Sequence, residues 1–323
     1  MKDRVNIVWL KRDLRLRDHA TLYHASEEKN PILFLYVYEP ALLTHHHYAE
    51  RHFRFIHQSL DDLDRQLEKF NTKVLRLRGP FFEVLTHLQE NITIQNIYSH
   101  EEVGLKVTFD RDKHCKKYCI NEKINWYEYP DNGIIRGVKN RVDWTKNWYG
   151  YMSAPVYRVN MGNTSFLSIK VISNLQNCKF KDHPIFEDNN LVQSGGEIKA
   201  HRVLQSFLND RIKNYSKGIS KPEMSRESCS RLSPHLAWGN ISIRQVYQSL
   251  QTLKKEGTYK SQISAVSSRL RWRSHFMQKF ESECSMEFTS VNRGYQSLEK
   301  DVSIEKLTAW KEGKTGYPLV DAC

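Results

Sequence analysis

Five runs of β-branched, aliphatic and aromatic residues punctuate the first 130 positions: 5–10 (VNIVWL), 31–38 (PILFLYVY), 73–78 (KVLRLR), 94–99 (IQNIYS) and 124–129 (INWYEY). Several are almost unbroken apolar stretches, the pattern of strands buried on both faces of a sheet. Between them the apolar residues recur at helical spacing. The clearest such stretch runs from Tyr48 to Phe70, with Phe53, Ile56, Leu60, Leu63 and Leu67 on one face and charges on the other. Strand and helix alternating in this way predict an α/β domain over residues 1–130, a five-stranded parallel, doubly wound sheet with right-handed crossovers.

The period fades between residues 131 and 195. Trp144, Trp148, Tyr149, Tyr151 and Tyr157 make this segment too aromatic to remain solvated, so it is expected to be an interdomain linker lying against its neighbours. After Gly195 and Gly196 the chain turns helical, and residues 196–323 are expected to be all-α. Ala200, Val203, Leu204 and Phe207 share one helix face. Ser242 and Gln245 form a capping box ahead of Val246, Leu250 and Leu253, and a third helix is expected through 266–280.

Charge changes the picture of the second half. Residues 1–130 carry 20 Lys+Arg against 19 Asp+Glu, whereas residues 131–323 carry 29 against 18. A basic excess confined to one half suits a polyanionic partner, although a merely cationic surface would read the same way. The six cysteines form no CxxC pair, and the run His45-His46-His47 is joined by no carboxylate or cysteine cluster, so no metal site is expected. No apolar run is long enough to span a bilayer, and the N-terminus lacks a signal-peptide layout; a cytoplasmic protein is the expectation.

A doubly wound sheet invites a dinucleotide site, but the glycine-rich turn such a site needs after the first strand is missing. The first strand leads instead into Leu10-Lys11-Arg12-Asp13-Leu14-Arg15-Leu16-Arg17-Asp18, and residues 1–130 contain only Gly79 and Gly104.

Three further segments carry candidate chemistry. Cys229-Ser230-Arg231-Leu232-Ser233-Pro234 is a loop of small hydroxyl residues opening a short helix, a donor-rich arrangement that suits phosphate. In Arg269-Leu270-Arg271-Trp272-Arg273-Ser274-His275-Phe276, helical spacing puts Arg269, Trp272, Arg273 and Phe276 on one side. Cations interleaved with aromatics suit an anionic cofactor and an unstacked base, while an amphipathic core helix with snorkelling arginines would look alike. The last segment is Trp310-Lys311-Glu312-Gly313-Lys314-Thr315-Gly316-Tyr317-Pro318-Leu319-Val320-Asp321-Ala322.

Taken in order, these segments resemble the photolyase/cryptochrome family. Residues 9–19 resemble its N-terminal W-[FL]-R-R-D-L-R-L-x-D-N signature, with Lys11 for the first Arg and His19 for the Asn. Residues 229–239 resemble its flavin-pyrophosphate loop, with Cys229 for the usual Thr. Residues 269–276 resemble its E-x-x-W-R-E-F helix, with Arg269 for the Glu, and residues 310–322 resemble W-x-x-G-x-T-G-[FY]-P-[LIV]-[LIV]-D-A.

The resemblance implies an FAD-binding helical domain in which Tyr215, Cys229, Ser230, Arg231, Leu232, Ser233 and Arg273 contact the cofactor. It places Arg269, Trp272, His275 and Phe276 at the pocket for a flipped DNA lesion. It further implies blue-light repair of pyrimidine dimers, with flavin-dependent photoreception without repair as the alternative. It leaves room in the α/β domain for a second, antenna chromophore of folate or deazaflavin type. A monomer acting on DNA with pyrimidine dimers, away from membranes, is expected. The family's isoalloxazine-facing residues follow the last segment, so none of the catalytic positions is expected within these 323 residues, which alone should bind FAD poorly and be inactive.

Overall fold

All five apolar runs become strands in the computed structural model, which describes residues 4–138, 140–187, 189, 191–298 and 301–322. They are β1 (Arg4–Trp9), β2 (Ile32–Tyr38), β3 (Val74–Arg78), β4 (Thr93–His100) and β5 (Asn125–Tyr129). They pair in parallel in the order β3-β2-β1-β4-β5, the expected doubly wound topology. Residue alternation sorts the core into two layers. Val5, Ile7 and Trp9 of β1 face the helices Phe81–Asn91 and Lys106–Asn121. Val8 and Leu10 face the helices Ala20–Ser26 and Glu50–Leu67, the latter burying Phe53, Ile56, Leu60, Leu63 and Leu67. Each such side chain stabilises the fold by about 1.5–3 kcal/mol through removal from water.

One polar row crosses this apolar sheet. Asn6, Asn96 and Asn125 sit in register on β1, β4 and β5, and each later side chain donates to the one before it, at 2.9 and 3.0 Å. These bonds satisfy both ends of the buried Asn96 amide and the Asn6 carbonyl oxygen, while the buried Asn6 Nδ2 has no partner and Asn125 is exposed.

The weakly periodic segment holds helices that its irregular aromatic spacing did not announce. Trp144–Ser153 buries Trp144, Trp148 and Met152 against Ala200, Leu204 and Phe207 of the helix Glu197–Asn209. Ile169–Gln176 and Phe180 cover the sheet layer instead. The other helices bearing on function are Ser233–Ala237, Ile243–Lys255 and Lys260–Ser282. Ile243–Lys255 carries the expected Ser242/Gln245 box, with Gln245 N–H to Ser242 Oγ at 3.0 Å and Ser242 N–H to Gln245 Oε1 at 2.9 Å. Among the described residues no strand follows residue 200, and no helix is long and apolar enough to cross a membrane.

Residues 283–323 form a separate compact unit. Its T-G-Y-P-L-V-D sequence has a local physical meaning. Asp321 accepts from the backbone N–H of Thr315 (2.8 Å) and of Gly316 (3.0 Å), and Gly316 takes φ +81° to allow it.

Candidate functional site

Apart from the exposed Arg17, the charged run after β1 does not lie in solvent. It is the seam between the sheet and the helices packed beyond it. Arg15 is buried, and its guanidinium donates to the carbonyls of Asp18 (3.1 and 3.2 Å) and Gly239 (3.2 Å), with Asp131 at 3.6 Å. Asp18 accepts from Arg244, from the Ser242 hydroxyl and from Tyr157 N–H (3.0 Å). Glu197 accepts from the backbone N–H of Leu16 (2.9 Å) and Arg17 (3.0 Å), and Asn240 donates to Leu14 O at 3.0 Å. Gly239, at φ +67°, brings its backbone against that of Arg12 and Asp13.

His19, which replaces the signature's Asn, still caps the helix Ala20–Ser26. Its Nδ1 accepts from Leu22 N–H at 3.2 Å, which leaves the proton on Nε2, 3.3 Å from the Asp13 carboxylate. Burial holds this imidazole below the ordinary histidine range. His201 is pushed down to about 4, by burial first and by the nearby Arg17 second.

A pH dependence follows. Unfolded histidine binds its proton near pH 6.5, folded His201 near 4, so this residue's contribution to stability is lost as pH falls across that window. Asp13, Asp18 and Asp131 titrate below the usual carboxylate range, so their contributions are lost only under stronger acid. Glu39, Asp64, Glu101 and Glu197 are raised by burial and act in the opposite sense. The informative measurement is therefore a difference. Urea midpoints of wild type and His201→Gln, compared across the window, should show the variant gaining on wild type toward the acid end. Parallel curves would refute the assignment.

The proposed phosphate loop is a tight turn held from behind. Arg231 takes φ +55°, Leu232 is buried, and Leu232 N–H reaches Ser230 Oγ at 3.4 Å. Arg211 donates to the carbonyls of Cys229 and Ser230, and Gln193 to that of Arg231 at 2.9 Å. With the carbonyls engaged, the N–H groups of Ser230, Arg231 and Ser233 have no protein partner among the described residues. Adjacent unpaired N–H donors, two hydroxyls and two nearby guanidiniums suit an anion. Arg211 was not legible in sequence, since a lone arginine after a helix carries no signal.

Tyr215 is buried beside this loop; its phenol is raised by burial and by Cys229, with Arg269 opposing. The structure thus brings Tyr215, Cys229 and Arg269 into one neighbourhood. Arg273 turns elsewhere. It donates to Leu236 O (2.8 Å) and Asn132 Oδ1 (2.7 Å), and desolvation pushes it down to about 10. Trp272 and Phe276 stay 49% and 61% exposed, with ring centroids 5.7 Å apart, and His275 stands against both at 5.4 and 5.7 Å. The helix therefore presents an open aromatic face beside a cation, while Arg273 anchors its inner side.

The crevice beyond the carboxyl ends of the strands, where doubly wound sheets commonly take ligands, is packed with the chain's own side chains. Arg111 bridges Glu39 and Glu102 at 2.6 Å each and lies 4.8 Å from the Trp9 ring centroid. Lys11 pairs with Asp112 at 3.3 Å over the same ring. About 30 Å³ remains between these side chains, room for about two water molecules, and an open cleft of about 460 Å³ adjoins it across Arg12, Tyr48 and Trp238.

Residues 6–139 match the family described as DNA photolyase, and residues 266–323 match the FAD binding domain of DNA photolyase, together more than half the chain. A cryptochrome DASH of Synechocystis sp. is 27% identical over 98% of this chain and 68% of that protein. A deoxyribodipyrimidine photo-lyase of Vibrio cholerae is 24% identical over 98% of this chain and 70% of that protein. The crystal structure of a Synechocystis cryptochrome shares the fold, with a TM-score of 0.79 at 22% identity, over all of this chain and 70% of that one.

Proposed function

The chain belongs to the photolyase/cryptochrome family, and from this premise we propose that its protein is a blue-light-driven, FAD-dependent deoxyribodipyrimidine photolyase. The observation that carries the reading is the open Trp272/Phe276 face on the helix that also bears Arg269 and Arg273. Large aromatic rings left half in water among cations suit an unstacked base with its phosphates nearby. The loop Cys229–Ser233, with Tyr215 and Arg269 beside it, fits a pyrophosphate. Arg273 keeps a desolvated positive charge whose hydrogen bonds go to neutral oxygens, so it can still take an anion.

The chemistry a bound flavin supplies is blue-light absorption and one-electron transfer. This chain's residues grip phosphate at the 229–233 turn and hold positive charge near it. They stack a flipped base on Trp272, with His275 and Phe276 completing the surface. The basic excess of the second half adds sequence-independent affinity for DNA. The same proposal divides the chain into an α/β domain (1–130), a connecting segment (131–195) and the first part of a helical FAD domain (196–323). It takes a monomer in the cytoplasm. A second, antenna chromophore of folate or deazaflavin type in the α/β domain is part of the same proposal.

A flavin photoreceptor without repair is the second reading, favoured by Arg269 where photolyases of the best-known class carry Glu. The test is a binding titration on ultraviolet-damaged and intact duplex, with a light/dark repair assay, using the protein loaded with FAD. Trp272→Ala should lower discrimination for damage by about 5- to 150-fold, the loss of a stacking surface of roughly 1–3 kcal/mol, with the salt slope unchanged. Flavin photoreduction without damage-dependent binding or repair would move the assignment to the photoreceptor.

A further inference from the structure

An open cleft of about 520 Å³ lies away from the residues assigned to flavin and DNA. It is enclosed by the turn Leu16–Asp18, the end of the helix Glu50–Leu67 with the residues after it, the segment 156–161 and Gln245. The volume lies inside the range of about 300–1,000 Å³ usual for small-molecule sites.

Its lining has two characters. One wall is apolar, built largely by Phe70, Val159 and Met161. The rim carries four cations, Arg17, Arg65, Lys69 and Arg158. Arg65 has an ion pair, 3.4 Å from Asp62. The side chains of Arg17, Lys69 and Arg158 form no ion pair among the described residues, Glu197 meeting Arg17 at its backbone N–H and by longer-range attraction. The acid in the lining, Asp18, does not neutralise them, because its oxygens are engaged by Arg244, Ser242 and Tyr157 N–H. The walls are also pinned: Leu16 and Arg17 hang from Glu197, and Tyr157 from Asp18. A rim fixed in advance loses little ordering entropy on binding.

We propose that this cleft binds a free nucleotide, an anion with an apolar ring, phosphates on the cationic rim and base against the apolar wall. Inorganic phosphate would leave the wall unused, and a nucleoside would leave the rim unpaired. The site is separate from the proposed flavin site.

The experiment is equilibrium binding of ADP, adenosine and inorganic phosphate to the 323-residue chain, at low and raised salt. ADP should saturate one site and bind about tenfold or more tighter than either part, weakening with salt. Lys69→Glu with Arg158→Glu should lose about tenfold or more of ADP affinity at unchanged circular dichroism and thermal midpoint. Arg273→Ala should leave ADP binding intact. No saturable ADP binding, or binding lost in Arg273→Ala and kept in the double variant, would overturn the proposal; the latter result would place ADP in the flavin site.

Discussion

Gly239→Ala is expected to destabilise the chain by about 2–5 kcal/mol, from two separate causes. The residue sits at φ +67°, where an L side chain costs roughly 1–2 kcal/mol. An added Cβ would also lie 2.1 Å from Arg12 O and 2.6 Å from Asp13 Cα, which are backbone atoms. They cannot withdraw easily, because Lys11 N–H is tied to Asp13 at 2.7 Å and Leu14 N–H to Trp238 O at 3.1 Å. Overpacking of this kind costs roughly a further 1–3 kcal/mol. Gly257 provides the control. It has φ +88° but nothing within 4 Å of its Cβ position, so Gly257→Ala should show the backbone cost alone. Urea unfolding of the two variants checks this, and equal losses would mean that the close approach at 239 contributes nothing.

Asp18→Ala is expected to cost about 3–5 kcal/mol, because it leaves the buried Arg244 guanidinium without its carboxylate. The same change removes the acceptor for Ser242 and for Tyr157 N–H, so the start of the helix Ile243–Lys255 and the segment near 157 lose a shared anchor. Asp18→Asn keeps an acceptor and tolerates the residue's φ of +51°, so it should lie between wild type and alanine. Pairing Asp18→Ala with Arg244→Met removes the unpaired charge and should recover part of the loss. Strict additivity of the two single changes in urea unfolding would show that the pair is not coupled.

The sheet was legible because it rests on local signals. Strands buried on both faces need long apolar runs, crossover helices need a one-sided apolar stripe, and all five runs stand where strands form. The Ser242/Gln245 box was legible for the same reason, since its two bonds span only three residues. The family resemblance is likewise carried by contiguous segments, residues 9–19, 229–239, 269–276 and 310–322.

The meaning of the charges came from tertiary structure alone. In sequence Lys11 to Asp18 reads as a salt-bridged turn of alternating charges, and nothing local says that Arg15 will meet Gly239, 224 residues on, or Asp18 meet Arg244, 226 residues on. A charged side chain's environment is set by what the fold packs against it. The same holds on the helix Lys260–Ser282. Helical spacing put Arg269 and Arg273 on one side, but residues four apart are offset by about 40° around the axis. That offset, with Leu236 O and Asn132 waiting inside, turns Arg273 inward and leaves Arg269 near Tyr215. Periodicity determines which side of a helix a residue occupies; only the neighbours, brought from distant sequence, decide what it meets there.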